Sequence, residues 1–296
     1  MNNRYVRHPD ATHVVLNMGA GRQSVALLAM ACAGQLPKPD LVIHADTGHE
    51  RRGTQAYIEN VLIPKCREHQ IPFTVVRNGN IKHDTLRSVR EGTRTAQAPY
   101  YVKKPDGKKG MLRRICTSEY KIVPIEREIR RFLGVAPGHR THTKAHPYFV
   151  EQWIGIATEE AQRKSVSHKK WSVLTFPLLD LGMDTPMCIE RIEELGWPVP
   201  IKSACIACPF RSNASWAYMK KHQPEEFAEA VDFDNRLRWP DGNGRLNWRI
   251  GLADGEQPLT LKGAQFPAYV HNSCVPLSEI EFVDDGTGEN FGGAFC

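Results

Sequence analysis

The chain has 296 residues, of which 41% are hydrophobic and 24% are charged, and its formal net charge at pH 7 is +6. A chain of this length can bury a sizeable core, either in one large α/β domain with an appended subdomain or in two domains. No apolar run approaches the roughly 20 residues of a membrane span, so we expect a soluble, cytoplasmic protein with no membrane partner.

The first predicted elements are a short buried strand at residues 14–16 and a helix at residues 25–33, joined by a glycine-rich turn. Glycines let a ligand approach the backbone, and the free N–H groups and dipole of the helix favour an anion. The turn therefore predicts a phosphate site, although such turns also make simple corners in α/β units. Its residues are Asn17, Met18, Gly19, Ala20, Gly21, Arg22, Gln23 and Ser24.

Residues 19–24 lack the Lys-Ser/Thr pair of a Walker A loop and the third glycine of a dinucleotide-binding turn. They resemble the pyrophosphate loop, S-G-G-x-D-S, of the adenine nucleotide α-hydrolase (PP-loop ATP pyrophosphatase) superfamily. Gly19 replaces the usual first serine of that loop and Gln23 replaces the usual aspartate. The resemblance implies an adenine nucleotide ligand, while the two replacements leave open whether ATP is cleaved or only bound.

Two further strands are predicted at residues 41–45 and 72–76, with a helical stretch at residues 54–69 between them. Strands separated by helix-length segments indicate right-handed βαβ crossovers, and therefore a mainly parallel sheet. The predicted fold class is α/β, a doubly wound Rossmann-like sheet with a helical, cysteine-containing C-terminal subdomain. Ligands of such sheets bind at the carboxyl ends of the strands.

The turn after the second predicted strand reads Asp46-Thr47-Gly48-His49-Glu50. An aspartate at a strand end can merely cap the next helix. However, D-T-G-x-E at this place also resembles the corresponding turn of the phosphoadenosine phosphosulfate (PAPS) reductase family. The resemblance implies that Asp46, Thr47 and Gly48 bind the nucleotide, and that Asp46 helps to hold its Mg²⁺.

Residues 93–114 mix prolines and glycines with many cations, which predicts a mobile basic loop. Such a charge run is usually a solvated surface. Because it follows the phosphate loop in a sheet whose loops gather at one face, it could instead cover an anionic ligand or contact a nucleic-acid backbone. The cations at residues 103–114 are Lys103, Lys104, Lys108, Lys109, Arg113 and Arg114.

Two later elements extend the resemblance. Residues 116–124 are similar to the C-C-x-x-R-K-x-x-P element of iron–sulfur sulfonucleotide reductases, with Thr117 in place of the second cysteine. Residues 155–163, after a predicted strand, are similar to the family's G-I-R-x-E/D-E-x-x-R element without its first arginine. By resemblance, Gly155 and Glu159 bind the nucleotide. Catalysis is assigned by resemblance to Ser24, Asp46, Lys121 and Arg163.

Eight cysteines without a targeting segment indicate thiols, metal ligands or a cluster rather than disulfides. Cys205 and Cys208 form a C-x-x-C-P motif, a half-site for zinc or an iron–sulfur cluster, with a redox dithiol as a third option. By resemblance Cys116 is a third ligand, and the same resemblance favours a [4Fe-4S] cluster over zinc. The fourth ligand is Cys274 or Cys296; we prefer Cys274, because terminal residues tend to fray.

The predicted domains are a nucleotide-binding α/β domain at residues 1–180 and a helical and irregular region at residues 181–296 that carries the C-x-x-C motif. The motifs, over about residues 12–235, look most like the PAPS reductase-like branch found in phage, mobile-element and defence contexts, including relatives beside type IV CRISPR systems. That branch implies cleavage of ATP at the α-phosphate, with Mg²⁺, to adenylate an acceptor in sulfur or nucleic-acid modification.

Two alternatives remain open at this point. One is a reductase of PAPS or adenosine phosphosulfate (APS) with Cys296 as nucleophile, although the family's E-C-G-x-H tail is absent. The other is a nucleotide-binding subunit without catalytic activity in a nucleoprotein complex. The expected partners are an adenine nucleotide, nucleic acid bound through the basic segment 103–114, and a second copy of the chain in a homodimer.

Overall fold

The computed structural model describes residues 4–93, 97–104, 106–141, 143–144, 146–167, 169–238 and 266–283. These residues form two compact units whose segments alternate along the chain. Unit 1 comprises the described residues within Met1–Asp46, Arg52–Val76 and Val123–Ser203, and unit 2 those within Thr47–Arg51, Arg77–Ile122 and Ala204–Cys296. The predicted domain boundary at residue 180 lies inside a segment of unit 1, because each unit combines three stretches that are distant in sequence.

The described ranges contain eight strands and nine α-helices. The strands are β1 (His13–Met18), β2 (Leu41–Asp46), β3 (Phe73–Arg77), β4 (Tyr101–Lys103), β5 (Lys109–Met111), β6 (Val150–Ile154), β7 (Ser172–Thr175) and β8 (Ala268–Tyr269). The helices are α1 (Arg22–Cys32), α2 (Arg52–Tyr57), α3 (Ile63–Glu68), α4 (Ile81–Glu91), α5 (Val123–Phe132), α6 (Pro177–Asp180), α7 (Thr185–Glu194), α8 (Asn213–His222) and α9 (Pro224–Arg236). Within these ranges no helix is both long and apolar enough to cross a membrane.

Unit 1 is built on a sheet that has five strands among the described residues, in the order β3-β2-β1-β6-β7. β1 pairs in parallel with β2 and with β6, and β6 pairs in parallel with β7. The chain therefore runs outward from β1 in one direction and then returns to β1's other side through β6. This reversal of strand order is the hallmark of doubly wound sheets.

Hydrophobic cores cover both faces of this sheet, since side chains alternate along each strand. On β1, Val14 and Leu16 belong to the core formed with α1 and α7, whereas Val15 belongs to the core formed with α5. α1 packs against α7, and α5 packs against β2. Helices thus lie on both faces of a mainly parallel sheet, and the predicted Rossmann-like fold class is confirmed.

Unit 2 combines α4, α8 and α9 with a second sheet, which among the described residues has the antiparallel order β5-β4-β8. Its core contains the buried side chains of Tyr100, Trp216 and Phe233. Among the described residues after 180, three α-helices and the two-residue strand β8 are found, so this region is mainly helical, while β4 and β5 come from residues 101–111. β4 and β5 also correct the predicted basic loop. Their outward side chains include the exposed Lys103 and Lys109, which made the segment resemble a loop, while Val102 faces the core.

Candidate functional site

The glycine-rich turn of unit 1 joins β1 to α1 at the point where the strand order reverses. Gly21 is the N-cap of α1, with extended backbone angles (φ −101°, ψ 175°), and among the described residues no side chain caps the helix. Ala20 adopts the left-handed conformation with φ 55°, which is costly for a residue with a Cβ atom. The first N–H groups of a helix have no intrahelical acceptor, so this turn is suited to an anion.

Gly155, the residue after β6, lies directly against the first turn of α1. A Cβ atom at Gly155 would lie 2.7 Å from the backbone nitrogen of Ser24 and 3.1 Å from the carbonyl carbon of Gln23. Since both are backbone atoms, a larger residue would have to displace the start of the helix. The structure thus brings together three residues that the sequence assigns to the nucleotide site, at the place where doubly wound sheets bind ligands.

Two serine hydroxyls hold the loop backbone. Ser24 Oγ donates to the carbonyl oxygen of Gly21 at 3.2 Å, and Ser203 Oγ donates to the carbonyl oxygen of Gly19. Ser203 was not predicted as a site residue. It lies two residues before Cys205, in a segment whose cysteines predict a ligand site but in which the serine carries no signal of its own. The loop is therefore fastened within unit 1 by side chains from both near and distant sequence.

Gln23, which stands at the aspartate position of the family loop, is bonded to Thr185 at the start of α7. Its Nε2 donates to Thr185 Oγ1 at 2.9 Å. Thr185 in turn donates its hydroxyl and, at 3.1 Å, its backbone N–H to Glu159 Oε1. Two predicted nucleotide-binding side chains, Gln23 and Glu159, are thus linked to each other through one threonine.

Four other predicted residues also lie in unit 1. Asn17 Nδ2 donates to Gln152 Oε1 at 3.1 Å, while its Oδ1 is buried without a hydrogen-bond partner among the described residues. Asp46, the last residue of β2, is buried, and so is Arg22, the first residue of α1. Arg163 lies in the 3₁₀ helix after β6 and pairs with Glu160 at 2.5 Å.

Unit 2 contains a pocket of about 550 Å³, measured with its open mouth, that is lined by three of the predicted cluster ligands. These are Cys116, which precedes a π-helical turn at Ser118–Ile122, and the pair Cys205 and Cys208. Lys121, predicted to be catalytic, lines the same pocket, as does Thr47. The structure therefore gathers residues from three separate stretches of the chain around one cavity.

The C-x-x-C turn is held in place by backbone and guanidinium hydrogen bonds. The N–H of Cys208 donates to the carbonyl oxygen of Cys205 at 3.2 Å, and the N–H of Ile206 donates to that of His49 at 2.8 Å. Arg211 is buried and donates to the carbonyl oxygen of Cys205 at 3.1 Å. The backbone that carries the two thiols is thus fixed before any ligand binds.

The Cys205 thiol contacts two polar side chains of the D-T-G-H-E turn. Its Sγ lies 3.3 Å from Thr47 Oγ1 and 3.9 Å from Glu50 Oε1, which also accepts from Thr47 Oγ1 at 2.9 Å. Glu50 is buried, and its Oε2 has no hydrogen-bond partner in the described part of the chain. Glu50 was not predicted as a site residue, although it is the glutamate of the D-T-G-x-E turn.

The start of α4 explains why residue 48 is a glycine. Gly48 has φ 76°, and a Cβ atom there would lie 2.7 Å from Asn80 Nδ2, which donates to the Gly48 carbonyl oxygen at 2.8 Å. Asn80 also caps α4 by accepting from the N–H of His83 at 3.0 Å. The turn is thus bound to this helix inside unit 2. The nucleotide-binding role given to Thr47 and Gly48 stays a prediction.

Two pocket residues that the sequence did not single out have strongly shifted pKa values. Burial raises the pKa of the Tyr100 hydroxyl well above its usual value, and the thiols of Cys116, Cys205 and Cys208 raise it further. Burial lowers the pKa of His49 to about 4, against the opposing effect of a nearby glutamate. At neutral pH the pocket therefore presents an uncharged phenol and an uncharged imidazole.

Cys274, the preferred fourth ligand, is buried in unit 2 with φ 56° and does not line this pocket. Burial raises the pKa of the Tyr101 hydroxyl, and the nearby thiols of Cys208 and Cys274 raise it further. Thiols are the donors that zinc and iron–sulfur clusters prefer. Within the described ranges, however, no three His, Cys, Asp or Glu side chains lie close enough to hold a metal ion. Cys296 lies outside the described residues.

No protein-family model matches this chain, and no curated protein matches it. The solved structures that are similar to it include the following two. The crystal structure of phosphoadenylyl-sulfate (PAPS) reductase from Candida auris, a phosphate complex, has a TM-score of 0.39 and 16% identity over 64% of this chain and 75% of that chain. The structure of the U34-tRNA thiolase NcsA from Methanococcus maripaludis, with its [4Fe-4S] cluster, has a TM-score of 0.35 and 15% identity, and the match covers 74% of this chain and 70% of that chain. Both similarities are low and establish no function for this chain.

Proposed function

We propose that this protein is an adenine nucleotide-using enzyme of the PAPS reductase-like family that cleaves ATP at the α-phosphate and adenylates an acceptor. The observation that carries the proposal is the start of α1 at the reversal of strand order, which packs against Gly155 and which no side chain caps in the part of the chain that the structure describes. A nucleophile of the acceptor forms a bond to the α-phosphorus, the bond to the bridging oxygen breaks, and pyrophosphate leaves. Backbone N–H groups at the loop would stabilise the charge on the transferred phosphate.

The roles of individual residues follow from the family resemblance and from their positions. Gly19 and Gly21 leave room for phosphate oxygens, and Ser24 adds a hydroxyl. Asp46 is a carboxylate at the end of β2, the kind of ligand that Mg²⁺ binds together with phosphates. Arg163, in unit 1 like the loop, would neutralise developing charge. The catalytic role of Lys121, which lines the pocket of unit 2, stays a prediction.

The proposed cluster ligands are Cys116, Cys205 and Cys208, with Cys274 as the fourth. Their thiols suit a [4Fe-4S] cluster, which would supply sulfur transfer or a structural link when bound. Anaerobic purification followed by metal analysis tests this part separately. We expect iron, inorganic sulfide and a brown colour with absorbance near ~400 nm. A colourless protein that contains zinc would contradict the cluster.

The reaction itself is tested by incubating the purified protein with ATP and Mg²⁺ and separating the products. Without an added acceptor, water takes the place of the acceptor nucleophile at the α-phosphorus, and we expect AMP and pyrophosphate in equal amounts. Release of ADP, or no nucleotide binding, would contradict the proposal. Sulfite released from PAPS with a thiol donor would instead identify the sulfonucleotide reductase.

One observation favours a second candidate, a nucleotide-binding subunit that does not cleave ATP. Gln23 replaces a carboxylate of the family loop by a neutral amide, and this amide is already bonded to Thr185. A neutral side chain contributes less to binding Mg²⁺ beside a triphosphate than a carboxylate does. Saturable binding of ATP with no product after prolonged incubation would support this candidate over the first.

A further inference from the structure

The β4–β5–β8 sheet of unit 2 presents one face away from its core. Directly opposite residues of antiparallel strands share a face, and successive residues alternate between faces. Val102 and its partner Ala268 are buried on the core side. The opposite side, which we call the hairpin face, is formed by Tyr101, Lys103, Lys109, Met111 and Tyr269.

The hairpin face sets two lysines against each other. Lys103 of β4 pairs with Lys109 of β5, and both side chains are exposed. Like charges directly opposite each other destabilise a sheet. Lysines on an edge strand can be explained as protection against aggregation, and among the described strands β5 is an edge. Lys103, however, lies on β4, which is central among these strands, so edge protection does not explain it.

Further cationic side chains lie near this lysine pair in the sequence. Lys103, Lys104, Lys109 and Arg113 are exposed, and none of them pairs with a carboxylate in the described part of the chain. Within the turn of the hairpin, Lys108 pairs with Asp106 at 3.6 Å. The local positive charge is therefore concentrated on and beside one face and suits a polyanionic partner.

Beside the lysines, a row of non-charged side chains crosses the same three strands. Met111 pairs with Tyr101, which pairs with Tyr269. Met111 is 47% exposed, and both tyrosines are half-buried. Sheets that bind single-stranded nucleic acid combine such rings, on which bases stack, with cations along the phosphate backbone. An acidic protein would use the cations but has no need of the rings.

We propose that the hairpin face binds single-stranded nucleic acid, with Lys103 and Lys109 contacting phosphates and Tyr101 stacking on a base. The proposal is independent of the nucleotide chemistry in unit 1. Since phosphate contacts release counterions, the slope of log K against log salt for a single strand changes by about 0.7 for each contact. Replacing both lysines should therefore reduce the slope by about 1.4.

The experiment measures binding of a fluorescently labelled single-stranded RNA oligonucleotide by anisotropy over a range of salt concentrations, without ATP or Mg²⁺. We expect Lys103→Ala/Lys109→Ala to lose about 1.4 of the salt slope, and Lys103→Arg/Lys109→Arg to keep it. Tyr101→Ala should weaken binding about fivefold or more at every salt concentration, with the slope unchanged. Thermal unfolding should show that the lysine-to-alanine variant is at least as stable as the natural protein, because a repulsive pair is removed.

The control is Arg87→Ala/Arg90→Ala on α4, which removes the same net charge from two exposed side chains of unit 2. An equal loss of slope in this control would overturn the proposal in favour of a net-charge effect. No salt-dependent binding by the natural protein would also overturn it. Duplex DNA bound as tightly as the single strand, or displacement of the RNA by polyglutamate at equal charge, would overturn the single-stranded partner.

Discussion

The two units build their candidate sites from different material. In unit 1 the glycine-rich turn is a backbone feature, made by a helix start that no side chain of the described residues caps and by the close approach of Gly155. In unit 2 the pocket is made of side chains, chiefly thiols and neutral ring groups, and the buried carboxylate of Glu50 contacts one of its thiols, that of Cys205. A site made of backbone atoms tolerates a change of side chain, but it does not tolerate a side chain that fills the space beside those atoms. A side-chain site depends on the identity of each group and on the charges buried around it.

The largest effect is expected in unit 2, where Asp234 and Arg238 form a buried pair at 2.7 Å. Asp234 also accepts from the N–H groups of Val270 and Leu277, at 2.8 and 3.1 Å. We expect Asp234→Asn to lower the free energy of unfolding by about 3–5 kcal/mol, because Arg238 is left as a buried, uncompensated charge. Urea denaturation measures the change.

Helix α9 supplies a matched control for this variant, because Asp232 and Arg236 form a second pair with the same i,i+4 spacing. This pair is largely exposed, with its charged atoms 3.6 Å apart. Asp232→Asn should therefore change the free energy of unfolding by no more than about 0.5 kcal/mol. Equal effects of the two variants would show that burial of Asp234 does not matter to unit 2.

The next effect concerns acid stability and His49. Its pKa is lowered by burial from 6.5 to about 4, so an unfolded chain takes up a proton that the folded chain accepts only at lower pH. The free energy of unfolding should fall as the pH drops from about 6.5 to about 4, by an amount on the order of 3 kcal/mol. Denaturation curves recorded across this pH range measure the loss.

His49→Gln removes the titrating group and should flatten most of this pH dependence. A smaller dependence of the same sign should remain, because burial also lowers the pKa of His271. If the natural protein and the variant lose the same stability between pH 6.5 and 4, His49 does not have a lowered pKa in the folded protein.

A smaller effect on stability is expected in unit 1 from Gly155→Ala. The added Cβ would meet backbone atoms of α1 at 2.7 Å, so we expect a loss of about 1–3 kcal/mol in the free energy of unfolding and weaker ATP binding. Gly53→Ala is the control, since its Cβ would also meet an atom at 2.7 Å, but that atom is the terminal methyl of Ile201. A methyl can rotate away, and alanine favours a helix, so stability should not fall.

ATP binding by these two variants can be measured by isothermal titration calorimetry. The expected result is weaker binding for Gly155→Ala and natural affinity for Gly53→Ala. Natural ATP affinity in a folded Gly155→Ala protein would show that the backbone of this loop is not the phosphate site.

The smallest effect is expected for Gln23→Asp, which restores the residue of the family loop. The variant loses the donor to Thr185 and places a second carboxylate near Glu159, at a cost of about 1 kcal/mol in unfolding free energy. If a carboxylate is what the loop lacks, Mg²⁺-dependent AMP release should rise. Gln23→Leu controls for loss of the hydrogen bond, and equal AMP release from both variants would exclude a role for the carboxylate.

The central strands of unit 1 were predictable from sequence because their burial is nearly complete. Every residue of β2 is buried, and such runs stand out as short apolar segments bounded by turns. The glycine-rich turn and the pair Cys205 and Cys208 were also recognisable, because their spacing is local, whereas Cys116 was assigned by the family resemblance. Chemistry that depends on a few neighbouring residues can be recognised in the sequence.

Features that depend on tertiary contacts were not predictable. β4 and β5 are three residues each and carry exposed lysines, so only their pairing reveals them as strands. The link from Gln23 to Glu159 passes through Thr185, more than 20 residues from either. Tyr100 and His49 acquire their shifted pKa values from burial, which composition does not show.

The alternation of the two units along the chain has a consequence for fragments of this protein. The chain passes from one unit to the other after Asp46, Arg51, Val76, Ile122 and Ser203. A fragment that stops at residue 180 would retain the glycine-rich turn but lack Ser203, and would retain Cys116 but lack Cys205. Neither site can therefore be isolated as an autonomous piece by trimming one end, whereas two co-expressed halves could reassemble both by fragment complementation.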